Sequence, residues 1–130
     1  MGDPDHDLVL VVEDDHGVAE VLRKRLEVEG YEVHLEVRGG PALKFAAEQR
    51  PDLIILDLRL PDLGGYEVCA RLRKLYHHWD VPILMLTGMD LPIDELRGFA
   101  HGADAYLTKP FDLSELMRTV ALLLGKTAIT

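Results

Sequence analysis

Five short apolar runs alternate with segments of helical periodicity, and this alternation restricts the fold more than any other feature of the chain. The first run, Leu8-Val9-Leu10-Val11-Val12, is unbroken and ends in Glu13-Asp14-Asp15. Val18, Val21, Leu22 and Leu26 then recur at three- and four-residue spacing, which predicts a core-facing helix that Gly30 stops. Residues 31–37 alternate apolar and polar, predicting a strand with one wetter face near a sheet edge. Pro41 suits the first turn of a short helix carrying Leu43, Ala46 and Ala47. Leu53-Ile54-Ile55-Leu56 predicts a fully buried strand ending at Asp57. A third helix, from near Gly65, carries Val68, Cys69, Leu72 and Leu75. The run from Val81 to Leu86 predicts a fourth strand, with Pro82 tolerable only at its first residues. Ile93, Leu96, Phe99 and Ala100 predict a fourth helix closed by Gly102, and Ala105-Tyr106-Leu107 a short fifth strand. The last helix, opened by Asp112 or Ser114, carries a core stripe of Leu113, Leu116, Met117, Val120, Leu123 and Leu124.

Five strand-helix units imply an α/β domain: a doubly wound, five-stranded parallel sheet with helices on both faces. The expected domain spans residues 8–124, after a tail at 1–7; residues 125–130 form a second tail or the stub of a linker. Ligands of such sheets sit beyond the carboxyl ends of the strands, so functional residues are expected just after positions 12, 56, 86 and 107. Those places hold Glu13 and Asp14, Asp57, Thr87 followed by Gly88, and Lys109-Pro110. Three carboxylates on one rim repel one another, at ~4 Å by on the order of 4 kcal/mol per pair in a medium of effective dielectric near 20. A cation in the gap removes that cost, and oxygen ligands with room for water suit Mg²⁺ better than Zn²⁺. The Lys109 ammonium can reach a phosphoryl oxygen and the Thr87 hydroxyl can donate to another. Asp15 reads as the N-cap of the first helix, which leaves Glu13 and Asp14 as the functional pair.

Composition narrows the function classes. With 23 acidic against 14 basic side chains, the 130-residue chain has a net charge of −9, so direct nucleic-acid binding is not expected of it. No apolar run approaches the roughly 20 residues needed to cross a bilayer, and the acidic, polar start MGDPDHD has neither a signal-peptide pattern nor a myristoylation motif. A single cysteine excludes an internal disulfide framework, and a cytoplasmic location is the expectation.

The segments LVLVVEDD (8–15), LIILDLRLPDLGG (53–65), ILMLTG (83–88) and GADAYLTKPF (102–111) resemble, together and over nearly the whole chain, the receiver domain of two-component response regulators. The resemblance implies a flavodoxin-like strand order 2-1-3-4-5. It implies that Asp57 accepts a phosphoryl group from the phosphohistidine of a histidine kinase or phosphotransfer protein. It further implies that Asp14 and Asp57 bind Mg²⁺ directly, Glu13 through water, and the Arg59 backbone carbonyl as a further ligand. Lys109, joined to Pro110 by a cis bond, would pair with the phosphoryl group. Thr87 would be the switch hydroxyl and Tyr106 the aromatic that changes rotamer when Thr87 moves. The surface of the fourth helix, fifth strand and last helix would then be remodelled for a downstream effector domain or protein. Such a protein catalyses only its own phosphorylation and dephosphorylation.

Three features depart from the family pattern. Arg59 is a bulky cation beside the acceptor, expected either to pair with Glu13 or the phosphoryl group or, as the equal alternative, to face solvent. Thr119, four residues after Glu115, stands where one DNA-binding subfamily carries a basic residue, which counts against that subfamily's charge-zipped homodimer and leaves other dimers open. His77-His78-Trp79 reads as loop, His16 as a solvent-facing first-turn residue and Cys69 as core packing. The alternative within the family is a non-phosphorylated pseudo-receiver acting as an interaction module, against which the set Glu13, Asp14, Asp57, Thr87 and Lys109 argues. A haloacid-dehalogenase-type enzyme would want a second aspartate where Arg59 stands. A flavin carrier would want a Ser/Thr/Gly-rich loop after the first strand.

Overall fold

The computed structural model describes residues 7–76, 81–88 and 102–126. The β-branched runs form β1 (Leu8–Val12), β3 (Leu53–Asp57) and β4 (Ile83–Thr87), flanked by β2 (Glu32–Glu36) and β5 (Ala105–Thr108). All pair in parallel in the order β2-β1-β3-β4-β5. The described helices are α1 (His16–Val28), α2 (Gly39–Gln49), α3 (Gly65–Tyr76) and α4 (Leu113–Leu123). The helix predicted over residues 93–100 and the His77-His78-Trp79 segment lie outside the described residues.

The period-2 alternation of strand side chains divides the core in two. Leu10, Val12, Ile54, Leu56, Ile83 and Met85 point to one face, where Ala42 and Ala46 of α2 and Val68, Cys69 and Leu72 of α3 cover them. Val9, Val11, Leu53, Ile55, Leu84 and Leu86 point to the other, covered by Leu22 and Leu26 of α1 and Leu116 and Val120 of α4. Burial on both faces explains why β1, β3 and β4 read as unbroken apolar runs. The edge strand β2 keeps the alternation expected of a wetter position and is half-buried or exposed along its length.

Three side chains placed on apolar stripes by spacing face solvent instead, Ala47 of α2 among them. At about 100° per residue, Val18, Ala19, Leu22 and Leu26 define the inner arc of α1. Val21 falls outside that arc and is 51% exposed. Leu75, in the last turn of α3, is likewise exposed. Caps fall where the sequence places polar residues. The Asp15 carboxylate accepts from Gly17 and Val18 N–H, and Asp112, rather than Ser114, caps α4 by accepting from Ser114 and Glu115 N–H. The Thr119 hydroxyl donates back to the Glu115 carbonyl of its own helix.

The amino-terminal ends of β4 and β5 are held by one guanidinium. Arg73 of α3 donates from Nε to the Gly102 carbonyl (2.8 Å), from Nη1 to the Val81 carbonyl (2.5 Å) and from Nη2 to Asp104. The Asp104 carboxylate also accepts from Ile83 N–H. Gly102, at φ +109°, lies so close to this side chain that a Cβ there would sit 2.5 Å from Arg73 Cγ. Because Arg73→Ala strands two carbonyls and a carboxylate, it should cost about 2–3 kcal/mol, read as a lower denaturant midpoint; an unchanged midpoint would show that water replaces the guanidinium fully. Among the described residues no helix is long and apolar enough to cross a membrane.

Candidate functional site

The carboxyl ends of the inner strands bring the expected side chains to one rim. β1 stops at Val12, and Glu13 continues it by donating its N–H to the Glu36 carbonyl (3.0 Å). This turns the Glu13 side chain inward, 1% exposed, whereas Asp14 is exposed beside it. Asp57 is the last residue of β3 and is 4% exposed. Thr87 ends β4, fully buried, and its carbonyl accepts from Lys109 N–H (2.6 Å) just past β5. The Lys109–Pro110 peptide is cis. Carboxylate oxygens of Glu13, Asp14 and Asp57 all lie within 4.8 Å of one another.

Lys109 offsets this charge unevenly. Its Nζ lies 2.8 Å from Glu13 Oε1 and 3.5 Å from Asp57 Oδ1. The shorter contact is an ion pair off hydrogen-bond geometry, so Oε1 is buried with a charge beside it and no donor aimed at it. Burial would lower the Lys109 pKa, but the contact with Glu13 and the charge of Asp57 outweigh it and raise it. Burial, reinforced by the Glu13 charge, pushes the Asp57 carboxyl up to about 7, against the opposing pull of Lys109. The Arg59 N–H donates to Asp57 Oδ1 (3.3 Å).

An open cleft of about 380 Å³ lies over these groups. Glu13, Asp14, Asp57, Arg59 and Lys109 line it, joined by Asp15 and Gly88, to which the sequence assigned no role in the cleft. The expected Arg59–Glu13 pair does not form: Glu13 meets Lys109, and the Arg59 side chain is exposed at the cleft wall. The reason is geometric, since Glu13 is buried at the strand end that β5 delivers Lys109 to, whereas Arg59 already sits on the outer loop. Thr87 is buried on the same rim. Tyr106, opposite Met85 in the β4–β5 register, is half-buried against the core face that α2 and α3 cover.

Residues 9–121 match the response regulator receiver domain family. The chain belongs to that family. Among curated relatives, the receiver is 42% identical over 119 residues to the DNA-binding dual master transcriptional regulator RpaA of Synechocystis, a match covering 92% of this chain and 49% of RpaA. It is 44% identical over 121 residues to the response regulator MprA of Mycobacterium ulcerans, covering 93% and 51% respectively. The chain thus spans about half the length of these relatives. Among solved structures, a Francisella response regulator receiver domain superposes with a TM-score of 0.86 at 30% identity, covering 94% of this chain and 99% of that one. The receiver domain of the Pseudomonas aeruginosa sensor histidine kinase PA1611 superposes with a TM-score of 0.83 at 34% identity, covering 92% and 98%. That protein is described with a magnesium ion coordinated in its active-site cleft.

The residues of this receiver fit a hard divalent cation. The donor set is all oxygen, three carboxylates converge within ligand reach, and one of their oxygens is buried without a hydrogen-bond donor. Neither sulfur nor imidazole belongs to the cluster, which disfavours zinc.

Proposed function

We propose that this receiver is the phosphoacceptor of a two-component phosphorelay, taking a phosphoryl group onto Asp57 from the phosphohistidine of a histidine kinase or phosphotransfer protein. The observation that carries this reading is the convergence of the Glu13, Asp14 and Asp57 oxygens within 4.8 Å, with Lys109 Nζ 3.5 Å from Asp57 Oδ1. The setting is the cytoplasm, and the recipient of the signal is a downstream effector domain or protein.

In the transfer, an ionised Asp57 oxygen attacks phosphorus in line. The new P–O bond forms as the P–N bond breaks, and the imidazole leaves with the electron pair. The Arg59 N–H, donating to Oδ1, helps fix the orientation of the Asp57 carboxylate. Lys109 shifts its charge from Glu13 toward the incoming phosphoryl oxygens, and the Thr87 hydroxyl donates to another. Asp14 and Asp57, with Glu13 through water and the Arg59 carbonyl, would hold a Mg²⁺ ion, whose charge would favour the ionised form of Asp57 and offset that of the phosphoryl oxygens. The product is an acyl phosphate; attack of water on its phosphorus returns the carboxylate and inorganic phosphate, so the mark is self-erasing. Movement of Thr87 toward the phosphoryl group opens space for Tyr106, a local charge change read out at the surface of β5 and its neighbouring helices.

Incubation with Mg²⁺ and a small acyl-phosphate donor, followed by intact-mass measurement, should add one phosphoryl group to the wild type and none to Asp57→Asn. Omitting Mg²⁺ should suppress the uptake. A wild type that takes up nothing would identify the chain as a pseudo-receiver, and uptake retained in Asp57→Asn would displace the acceptor.

A further inference from the structure

Helix α2 opens without a cap of its own. Its N-cap residue, Arg38, makes no capping hydrogen bond with its side chain, and its first two residues are glycines. Every helix start leaves N–H groups unpaired, and here their partner comes from another part of the fold. Asp62, in the 58–64 loop that follows the acceptor, accepts from Gly39 N–H through Oδ1 (2.7 Å) and from Gly40 N–H through Oδ2 (2.9 Å). Oδ1 also accepts from Leu63 N–H (2.9 Å), which fixes the carboxylate to its own loop. The amides of Gly40 and Gly39 hold the Asp62 carboxyl below the usual carboxylate range, and the helix dipole favours an anion there. The glycines make the approach close: a Cβ on Gly39 would lie 2.7 Å from Val68 Cγ2 and 3.1 Å from Leu63 Cβ.

The same loop is fastened at its base. Leu58 N–H donates to the Leu86 carbonyl (2.8 Å) and Gly65 N–H to the Leu58 carbonyl (2.7 Å). Between base and tip sits Arg59, whose N–H meets Asp57. Two fixed points therefore determine where the Arg59 backbone lies, and one of them is the carboxylate of Asp62.

We propose that Asp62 is a positioning residue for phosphoryl transfer: by locking the tip of the acceptor loop to the start of α2, it sets the Arg59 peptide that both orients Asp57 and offers a carbonyl to the metal. This rests on the phosphoacceptor reading above. A plain helix cap would stabilise α2 and leave metal affinity and transfer rate untouched, and that difference makes the role testable. Asp62→Asn keeps one acceptor oxygen and replaces the other with a donor, whereas Asp62→Ala removes both.

On the full chain, Mg²⁺ titration by calorimetry should show the half-saturating concentration rising about tenfold in Asp62→Ala, the scale on which outer groups tune metal ligands, and by less in Asp62→Asn. The phosphorylation rate at subsaturating Mg²⁺ should fall in the same order. Wild-type Mg²⁺ affinity and rate in both variants, even with a lowered melting temperature, would reduce Asp62 to a cap and overturn the proposal. If Asp62→Ala does not fold, Asp62→Asn is judged by the same criteria. If the wild type itself accepts no phosphoryl group, the phosphoacceptor reading fails, and the Mg²⁺ titration still decides whether Asp62 positions the loop.

Discussion

Replacing Asp57 with asparagine should stabilise the metal-free protein at pH 8 and leave its stability at pH 4 nearly unchanged. The folded chain holds the Asp57 carboxyl near pH 7, because burial and the neighbouring Glu13 anion disfavour its charge, against an ordinary value of 3.8. Between those two values the unfolded chain releases a proton that the folded chain retains. Stability therefore falls as pH rises through this window, and the loss is complete above about 7. Asparagine has no proton to release, and its amide can donate to the Glu13 carboxylate that Asp57, once ionised, only repels. The difference should reach on the order of 2–4 kcal/mol at pH 8, read as a higher denaturant midpoint. Saturating Mg²⁺ should close the gap by stabilising the wild type through mass action, and should do so much less in Asp14→Asn. A metal-free Asp57→Asn that is no more stable than wild type at pH 8 would show that Lys109 already balances the cluster.

The second large effect is steric. Gly65, the first residue of α3, packs against the backbone it follows: a Cβ there would lie 2.6 Å from Leu58 Cα, 2.7 Å from the Asp57 carbonyl oxygen and 2.9 Å from the Leu58 oxygen. None of these can rotate away, as a side chain could. Gly65→Ala should therefore cost roughly 3 kcal/mol or more, at or above the upper end of overpacking penalties, and should slow the proposed phosphorylation because the displaced atoms belong to Asp57, the proposed acceptor, and its neighbour. Gly64→Ala is the control, since nothing lies within 4 Å of a Cβ there, and it should stay within about 0.5 kcal/mol of wild type. Equal midpoints for the two variants would show that the loop yields without strain.

The strands and the rim were legible in the sequence because one physical rule generates both. A run buried on two faces has no polar residue to spare, so the first carboxylates after Val12 and Leu56 mark where each strand leaves the core. Three things were not legible. Val21 has the spacing of a core residue, and only the position of the neighbouring sheet decides which arc of α1 is inner. The partner of Lys109 depended on the 2.8 Å approach to Glu13, which no local pattern encodes. The Asp62 clamp joins residues 22 and 23 positions apart, and its only local trace is a Gly-Gly-Pro helix start lacking a Ser, Thr, Asp or Asn cap.

The Arg73 fork lies at the opposite end of the sheet from the carboxylate cluster, gripping the backbone at residues 81 and 102 that leads into β4 and β5. With their entry points tied to one helix, these two strands cannot slip lengthwise past each other without breaking that grip. If phosphorylation shifts Thr87 and Lys109 as proposed, the shift would have to pass sideways through side chains, because the far ends of both strands are pinned, like keys hinged along one edge.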